Sequence, residues 1–164
     1  MYLTNDIKLI AYDFDGVMTN NKVILSEDGK ESVTVNRGDG FAVKMISSML
    51  RIKQVIISTE QNPIVSLRAK KLGIDVIQCV DDKKYTIEEY CVRNHISLKD
   101  VLFVGNDLND YEAMKVTGFN ACPSDAEPEI LEFAGLVFNK KGGCGVVREL
   151  FQYLLNIKDY GAKQ

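Results

Sequence analysis

The chain has 164 residues, of which 46% are hydrophobic and 26% are charged, and its formal net charge at pH 7 is -3. This length predicts one domain, residues 1–164, which can bury about 70% of its unfolded surface without a disulfide or a structural metal. The slightly acidic balance argues against a nucleic-acid-binding protein, because such proteins usually carry a basic surplus. No apolar run approaches the ~20 residues of a membrane span and residues 1–8 lack the apolar core of a signal peptide, so we expect a cytoplasmic protein.

Apolar runs alternate with helix-periodic stretches from the start of the chain. A strand is predicted at residues 7–12, followed by a β-hairpin flap at about residues 20–36 whose arms flank the turn signal Asp28-Gly29. The next elements are a helix at 41–50, a strand at 54–57 and a helix at 64–72. Pro63 stands just before the last of these helices, where a first turn tolerates proline.

The same alternation continues in the second half of the chain. We predict strands at 75–77, 101–104, 119–121 and 136–138, and helices at 83–94, 108–116, 127–133 and 146–155. Residues 158–164 are predicted to form a tail that is disordered unless a partner holds it. Repeated βα units indicate an α/β fold with a doubly wound, mainly parallel sheet and helices on both faces. Ligands of such sheets bind beyond the carboxyl ends of the strands.

Polar residues come directly after three of the predicted strands. These strings are Asp13-Phe14-Asp15-Gly16, Ser58-Thr59-Glu60 and Gly105-Asn106-Asp107-Leu108-Asn109-Asp110. Because the carboxyl ends of parallel strands share one edge, we expect these side chains to lie close together. Carboxylates at such short range repel one another unless a cation is present. Oxygen ligands without thiols or imidazoles favour Mg²⁺ over a transition metal.

The most specific string in the chain is Asp13-Phe14-Asp15-Gly16-Val17-Met18-Thr19. It resembles the first motif, D-x-D-G-x-x-T, of the haloacid dehalogenase-like phosphatases. The other motifs follow in the expected order, with Ser58 as the hydroxyl motif, Lys83 as the basic motif and residues 105–110 as the acidic motif. The resemblance covers nearly the whole chain and implies a Rossmannoid fold of the haloacid dehalogenase type.

The sequence leaves little room for a cap domain, since only the hairpin and one helix separate the first two motifs. This layout resembles the 3-deoxy-D-manno-octulosonate 8-phosphate phosphatases, a capless subfamily that includes phosphatases of nonulosonate (sialic acid type) 9-phosphates. Residues 36–40 resemble the polar turn after that subfamily's hairpin, and residues 142–149 resemble its late glycine-rich string. The resemblance implies a phosphorylated sugar acid as substrate and a homotetramer whose subunits close one another's active sites.

Five residues are predicted to bind the sugar-acid part of the substrate rather than its phosphate group. Glu60, Arg68 and Lys71 resemble a trio that recognises substrate in the nonulosonate phosphatases. Arg37 is a further candidate, with Arg68 and Lys71, for pairing with the substrate carboxylate. Arg148 or residues 158–164 are expected near a neighbouring subunit's substrate.

The polar strings permit phosphate transfer through an aspartyl phosphate. Asp13 is the predicted nucleophile. Asp15, two positions further along an extended segment, protonates the leaving oxygen and then deprotonates the attacking water. Ser58 and Lys83 are expected to bind the oxygens of the phosphoryl group in transfer.

The predicted metal site uses the acidic motif together with the first motif. Its residues are Asp13, Asp15 through the main-chain carbonyl, Asn106, Asp107 and Asp110, the last two orienting Lys83 and metal-bound water. Asn106 stands where the family string has its first acid. Its amide oxygen can still bind Mg²⁺, but the site carries one negative charge fewer.

Other interpretations of these residues stay open on the sequence alone. The acids of the first and third strings, and Ser58, also fit turn or helix caps. Glu60, Arg68 and Lys71 also fit a surface ion-pair cluster, and Lys84 is the alternative to Lys83 as the motif lysine.

Two other functions compete with a phosphatase. One is a non-catalytic oligomerisation or interaction module, like the similar domain appended to animal CMP-sialic acid synthetases. The presence of both Asp13 and Asp15 argues against it, because a scaffold needs neither. The other is a signalling receiver domain, in which the phosphate-accepting aspartate ends a later strand than the first.

Overall fold

The computed structural model describes residues 6–161, with side chains described as far as residue 157. The strands of the described chain are β1 (Leu9–Tyr12), β2 (Ile24–Leu25), β3 (Glu31–Ser32), β4 (Lys53–Ile57), β5 (Asp75–Ile77), β6 (Val101–Val104), β7 (Phe119–Cys122) and β8 (Leu136–Val137). Its α-helices are α1 (Arg37–Met45), α2 (Ile64–Leu72), α3 (Lys83–Asn94), α4 (Leu108–Val116), α5 (Pro128–Phe133) and α6 (Val146–Gly161).

Six parallel strands form the main sheet, in the order β5-β4-β1-β6-β7-β8. Side chains of β1 alternate between two buried layers, as a period of two requires. Ile10 and Tyr12 pack with residues of α1, α2 and α6, whereas Leu9 and Ala11 pack with residues of α3, α4 and α5. All four β1 side chains are fully buried, which explains the continuous apolar run. The predicted doubly wound parallel sheet is confirmed.

The site edge of the sheet is set by the register of its three central strands. Tyr12 pairs with Ile56 of β4 on one side and with Val104 of β6 on the other. Asp13 and Gly105 therefore leave the sheet at the same level, and β4 continues one residue further, to Ile57, before Ser58 follows. The chain runs from β1 to β4 on one side and later returns to β6 on the other, so this edge is a topological switch point.

The hairpin flap is present but shorter than its predicted arms. β2 and β3 pair through only two residues each, and an isolated bridge between Thr19 and Val35 closes the base of the flap. No larger unit lies between β1 and α1 in the described chain.

The start of α1 corrects the prediction for residues 36–40. They do not form a polar turn: Asn36 caps the helix by accepting from the Gly38 N–H at 2.7 Å, and α1 begins at Arg37. The predicted helix at 41–50 thus begins four residues early, and it ends with a π-helical segment, Ile46–Leu50.

The C-terminal helix is also longer than predicted. α6 continues to Gly161 instead of ending at residue 155, so the predicted tail is wrong for residues 158–161. Residues 156–160 contain no glycine or proline to end the helix earlier. Residues 162–164 of the predicted tail lie outside the described residues. Across the described chain, none of the helices is both long and apolar enough to cross a membrane.

Candidate active site

The loop after β1 is held in shape by one buried hydroxyl. Asp13 extends the pairing with β6 by donating its N–H to the Val104 carbonyl oxygen at 2.9 Å. Thr19 Oγ1 donates to Asp15 Oδ1 at 3.0 Å and accepts from the N–H groups of Gly16 and Asn21, both at 3.2 Å. Thr19 is the last residue of the D-x-D-G-x-x-T string, and the string was the only feature of the sequence that pointed to this positioning contact.

Lys83 lies at the centre of the site. It is the first residue of α3, whose start is fixed by Asp82 accepting from the Tyr85 N–H at 3.0 Å. Its Nζ lies 2.6 Å from Asp13 Oδ1 and 2.7 Å from Asp110 Oδ1. All three side chains are at most 7% exposed. In the part of the chain that the structure describes, Lys84 makes no ion pair, so the structure brings Lys83 and not Lys84 to the motif acids.

The acidic motif serves both as a helix cap and as part of the site. Asp107 caps α4 in a capping box with Asp110, and its Oδ1 accepts from the Leu108 N–H at 2.6 Å. Asp110 Oδ2 accepts from the N–H groups of Asn106 and Asp107 at 2.9 and 3.2 Å. Both Asp110 oxygens are therefore taken up by contacts with the protein, one of them orienting Lys83. Neither of these two acids needs to touch a metal directly.

Oxygen atoms converge beside Asp13. One end of the Asn106 side-chain amide lies 3.1 Å from Asp13 Oδ2 and 2.8 Å from the main-chain oxygen of Asp15. If this end is the NH2 group, it donates hydrogen bonds to both oxygens. If the amide is rotated by half a turn, its own oxygen lies there instead, next to the oxygens of Asp13 and Asp15. Gly16, at φ +91°, makes this approach possible, because a Cβ there would collide with the Asn106 side chain.

This donor set fits a hard divalent cation. Oxygen ligands about 2.1 Å from an octahedral Mg²⁺ lie about 3 Å apart, close to the 3.1 and 2.8 Å that separate the Asn106 amide end from the other two atoms. Among the described residues, no group of three or more His, Cys, Asp and Glu side chains could hold a metal ion. The cation would therefore be held by one carboxylate, one main-chain carbonyl and one amide, from Asp13, Asp15 and Asn106.

The electrostatics of the site reflect two buried carboxylates around one ammonium. Burial and then the charge of Asp110 raise the pKa of Asp13, against the lowering effect of Lys83. Burial alone would lower the pKa of Lys83, but the charges of Asp13 and Asp110 outweigh it and the pKa is raised. Burial is the main cause that raises the pKa of Asp15, while its hydrogen bond from Thr19 lowers it.

Ser58 and Glu60 occupy the edge next to Asp13. Ser58 follows β4, the neighbour of β1, and its main-chain N–H donates to the Ile77 carbonyl oxygen at 3.0 Å. Its buried Oγ accepts from the Glu60 N–H at 3.1 Å, which turns the chain toward a cleft under the flap. This cleft has a volume of about 190 Å³ and is lined by Asp15, Glu60 and flap residues.

The structure does not bring the predicted basic residues to this cleft. Arg68 Nη2 donates to the Asn36 carbonyl oxygen at 3.0 Å, beside α1. The Arg148 guanidinium lies over the Phe41 ring at 5.0 Å. Lys71 and Arg37 are exposed, and neither lines the cleft. Nor does an ion pair join Glu60, Arg68 and Lys71 in the described chain, so the structure does not support a surface ion-pair cluster of these residues.

The late glycine-rich string packs against the first-motif loop. A side chain on Gly142 would collide with the main chain of Gly16 and Thr19, and Gly143 donates its N–H to the Val17 carbonyl oxygen at 3.0 Å. At the start of α6, Asp39 Oδ1 accepts from the N–H of Arg148 at 2.9 Å. The two strings at 36–40 and 142–149 thus meet each other behind the site.

A family model for haloacid dehalogenase-like hydrolases matches residues 19–150. The chain belongs to this family. The hydrolase is 30% identical over 156 residues to the 3-deoxy-D-manno-octulosonate 8-phosphate phosphatase of Yersinia pestis, covering 94% of this chain and 82% of that protein. It is also similar to the solved structure of the same-named phosphatase from Moraxella catarrhalis, in complex with a magnesium ion, a phosphate ion and a KDO molecule. That match has a TM-score of 0.88 at 27% identity and covers 97% of this chain and 94% of the other.

These relatives show that the hydrolase is a phosphatase. A different kind of relative is N-acylneuraminate cytidylyltransferase A of Danio rerio, which is 25% identical over 162 residues. The alignment covers 96% of this chain but only 37% of that protein. The hydrolase therefore resembles one part of a larger synthetase as well as complete phosphatases.

Proposed function

We propose that this phosphatase hydrolyses the phosphate ester of a keto-deoxy sugar acid, an octulosonate 8-phosphate or a nonulosonate 9-phosphate. The observation that carries the proposal is the pair of buried carboxylates, Asp13 and Asp110, on the single ammonium of Lys83, next to a cleft beneath the flap. The named activities of the Yersinia pestis and Moraxella catarrhalis relatives support this substrate class.

The mechanism proceeds in two transfers through an aspartyl phosphate. An oxygen of the Asp13 carboxylate attacks phosphorus while the bond between phosphorus and the sugar oxygen breaks. Asp15 gives its proton to that leaving oxygen. It then takes a proton from the water that attacks phosphorus, which releases phosphate and restores the Asp13 carboxylate. The raised pKa of Asp15 favours the protonated form that the first transfer needs.

Charge at the phosphoryl group is offset by groups around Asp13. Lys83 and the Ser58 hydroxyl bind the oxygens on which negative charge is concentrated. Mg²⁺, held by Asp13, Asp15 and Asn106, would offset the repulsion between the Asp13 carboxylate and the phosphate. Asp110 keeps Lys83 in place, and Asp107 fixes the turn that carries Asn106.

Asn106 provides a test of the metal site that does not depend on turnover. Asn106→Ala removes one of three oxygens and should weaken Mg²⁺ binding by roughly tenfold, or about 1.4 kcal/mol. Asn106→Asp adds a charged oxygen, so it should lower the melting temperature without Mg²⁺ and enlarge the stabilisation that Mg²⁺ produces. Thermal unfolding across a Mg²⁺ titration measures both effects. If the melting temperatures of wild type, Asn106→Ala and Asn106→Asp depend on Mg²⁺ in the same way, Asn106 does not bind the metal.

The substrate class is tested by a panel of phosphate esters. Octulosonate 8-phosphate and nonulosonate 9-phosphate should exceed neutral hexose phosphates in kcat/KM by about ten- to a hundredfold, since one charge-assisted hydrogen bond contributes ~1.5–3 kcal/mol. An aryl phosphate serves as the control for the phosphoryl chemistry alone. If neutral hexose phosphates are hydrolysed equally well, the protein is still a phosphatase, but its assignment to sugar-acid phosphates is wrong.

We propose further that the phosphatase works as a homotetramer. The flap exposes Val23, Ile24 and Leu25 to 57%, 67% and 69%, an apolar strip that a neighbouring copy would cover. Glu60 lies in its own subunit's cleft. Arg37, Arg68, Lys71 and Arg148 would bind substrate only across such an interface. Sedimentation should give four times the mass of the chain, and a monomer would exclude a role for these four residues.

The second candidate function is a non-catalytic module, which the similarity to part of the Danio rerio cytidylyltransferase favours. Asn106 in place of an acid would also suit a domain that no longer needs full metal affinity. The Asp13, Asp15 and Lys83 constellation argues for catalysis. Turnover of the aryl phosphate by the wild-type protein decides between the two functions.

A further inference from the structure

We propose that Lys22 binds the carboxylate of the sugar acid and so makes the phosphatase prefer acidic over neutral sugar phosphates. This inference rests on the function proposed above. It adds a flap residue of the same subunit to Arg68 and Lys71, which would reach the substrate only across the proposed subunit interface.

Lys22 lies in the cleft on the side of the leaving group. The cleft lies between the flap and the turn after β4, and its polar lining residues are Asp15, Asn21, Lys22, Glu31, Glu60 and Asn62. Asp15 protonates the leaving oxygen, so the sugar part of the substrate must extend from Asp15 into this space. Lys22 is the only basic residue that lines it in the described chain.

The acids in the cleft already have hydrogen-bond partners, whereas the Lys22 ammonium forms no ion pair in the described chain. Glu60 Oε1 accepts from the N–H groups of Gln61 and Asn62 at 2.7 and 2.9 Å. Glu31 Oε2 accepts from Asn62 Nδ2 at 3.1 Å. Across the described residues, no carboxylate lies within ion-pair distance of Lys22 Nζ. The Lys22 ammonium is therefore left to form a charge-assisted hydrogen bond with an anionic group of the ligand.

The backbone couples the position of Lys22 to the catalytic acid. The Thr19 hydroxyl that donates to Asp15 also accepts from the Asn21 N–H, one residue before Lys22. Asn20 Oδ1 then accepts from the Lys22 N–H at 3.3 Å. One end of the flap is therefore fixed relative to Asp15, and a substrate held at both its leaving oxygen and its carboxylate would be oriented for transfer.

The phosphate end of the substrate does not need Lys22, because Lys83 and Ser58 occupy that position. A substitution of Lys22 should therefore change the substrate specificity and not the rate of the chemical step. Loss of the Lys22 charge should raise KM for acidic sugar phosphates much more than it lowers kcat for any substrate.

Lys30 provides the matched control within the same flap. Its Nζ pairs with Asp28 Oδ2 at 2.6 Å at the turn of the hairpin, and it does not line the cleft. Lys30→Ala removes an equal charge from the same hairpin and leaves the cleft unchanged. Any effect of long-range charge or of flap folding should appear in both variants.

The experiment compares wild type, Lys22→Ala, Lys22→Arg and Lys30→Ala on octulosonate 8-phosphate, nonulosonate 9-phosphate, glucose 6-phosphate and an aryl phosphate. In Lys22→Ala, the ratio of kcat/KM for the preferred acid to that for glucose 6-phosphate should fall by about tenfold or more. Lys22→Arg should keep most of the ratio, and Lys30→Ala should keep all of it. Product inhibition by the free sugar acid should weaken in parallel in Lys22→Ala, which reports binding without catalysis.

Two results would overturn the proposal. If the acid preference of Lys22→Ala stays within about threefold of wild type, another group binds the carboxylate. If all four substrates lose activity equally, Lys22 acts on the phosphate and not on the carboxylate. A wild-type enzyme that hydrolyses the aryl phosphate without preferring either acid would instead contradict the substrate class itself.

Discussion

Asp13→Asn should lower kcat by at least about a thousandfold on every substrate, because an amide cannot attack phosphorus and loss of a nucleophile typically costs this much or more. The substitution keeps the shape of the side chain. It also keeps Asp110 paired with Lys83 at 2.7 Å, so the buried ammonium is not left without a partner. Steady-state hydrolysis of an aryl phosphate and of the preferred sugar acid phosphate measures the loss.

The control for this prediction is the stability of the variant. The main-chain pairing of Asp13 with Val104 does not depend on the side chain, so the melting temperature should stay within a few degrees of wild type. Asp110→Asn is a useful comparison, because it alters the other partner of Lys83 without touching the nucleophile. Turnover by Asp13→Asn within about tenfold of wild type would end the assignment of Asp13 as nucleophile.

The fold was predictable because its core strands are buried on both faces. Short apolar runs such as those of β1 and β6 allow few alternatives when helix-periodic stretches separate them. α2, α3 and α4 begin and end where the sequence predicts, and each has a proline or an aspartate at its start. These signals depend only on residues close together in the sequence, so they can be recognised without knowledge of the fold.

The errors arise where distant parts of the chain decide the local structure. α1 begins at Arg37, capped by Asn36, even though residues 36–40 contain two glycines, and its first turn is tied to α6 because Asp39 accepts from the Arg148 N–H, 109 residues away. The glycines at 142 and 143 are explained only by their close approach to the loop of residues 16–20. No pattern within either string reveals its partner.

The same distinction applies to the candidate site. Motif spacing placed Asp13 and Lys83 in one site because Asp13 directly follows β1 and Lys83 begins the helix after β5, both at the carboxyl edge of the sheet. The family resemblance predicted that Arg68 binds substrate. Within a single subunit, however, its side chain points to the start of α1 and donates to the Asn36 carbonyl oxygen. No sequence pattern singles out Lys22, because a lysine in a hairpin arm is usually solvated, and only the folded flap brings it to the cleft that Asp15 also lines.

Lys83→Ala should be the most destabilising single change in the site. It leaves Asp13 and Asp110 buried without their shared cation, and breaking a buried ion pair from one side typically costs 3–5 kcal/mol, so about that loss is expected. Activity should fall by at least about a hundredfold, as for removal of one group that stabilises transition-state charge. Lys84→Ala is the matched control, because Lys84 is adjacent in α3 and makes no ion pair in the described chain.

The pH dependence of Lys83→Ala separates a lost charge from a merely disturbed helix. Without the ammonium, burial and the charge of Asp110 raise the pKa of Asp13 further above its value in the unfolded chain. The folded variant then binds protons more tightly than the unfolded chain, so its stability should rise as the pH falls from about 7 toward about 4. Urea unfolding of the Lys83 and Lys84 variants at several pH values measures this. If the free-energy deficit of Lys83→Ala relative to Lys84→Ala does not shrink over that range, the cost lies in the packing of α3 and not in the buried carboxylates.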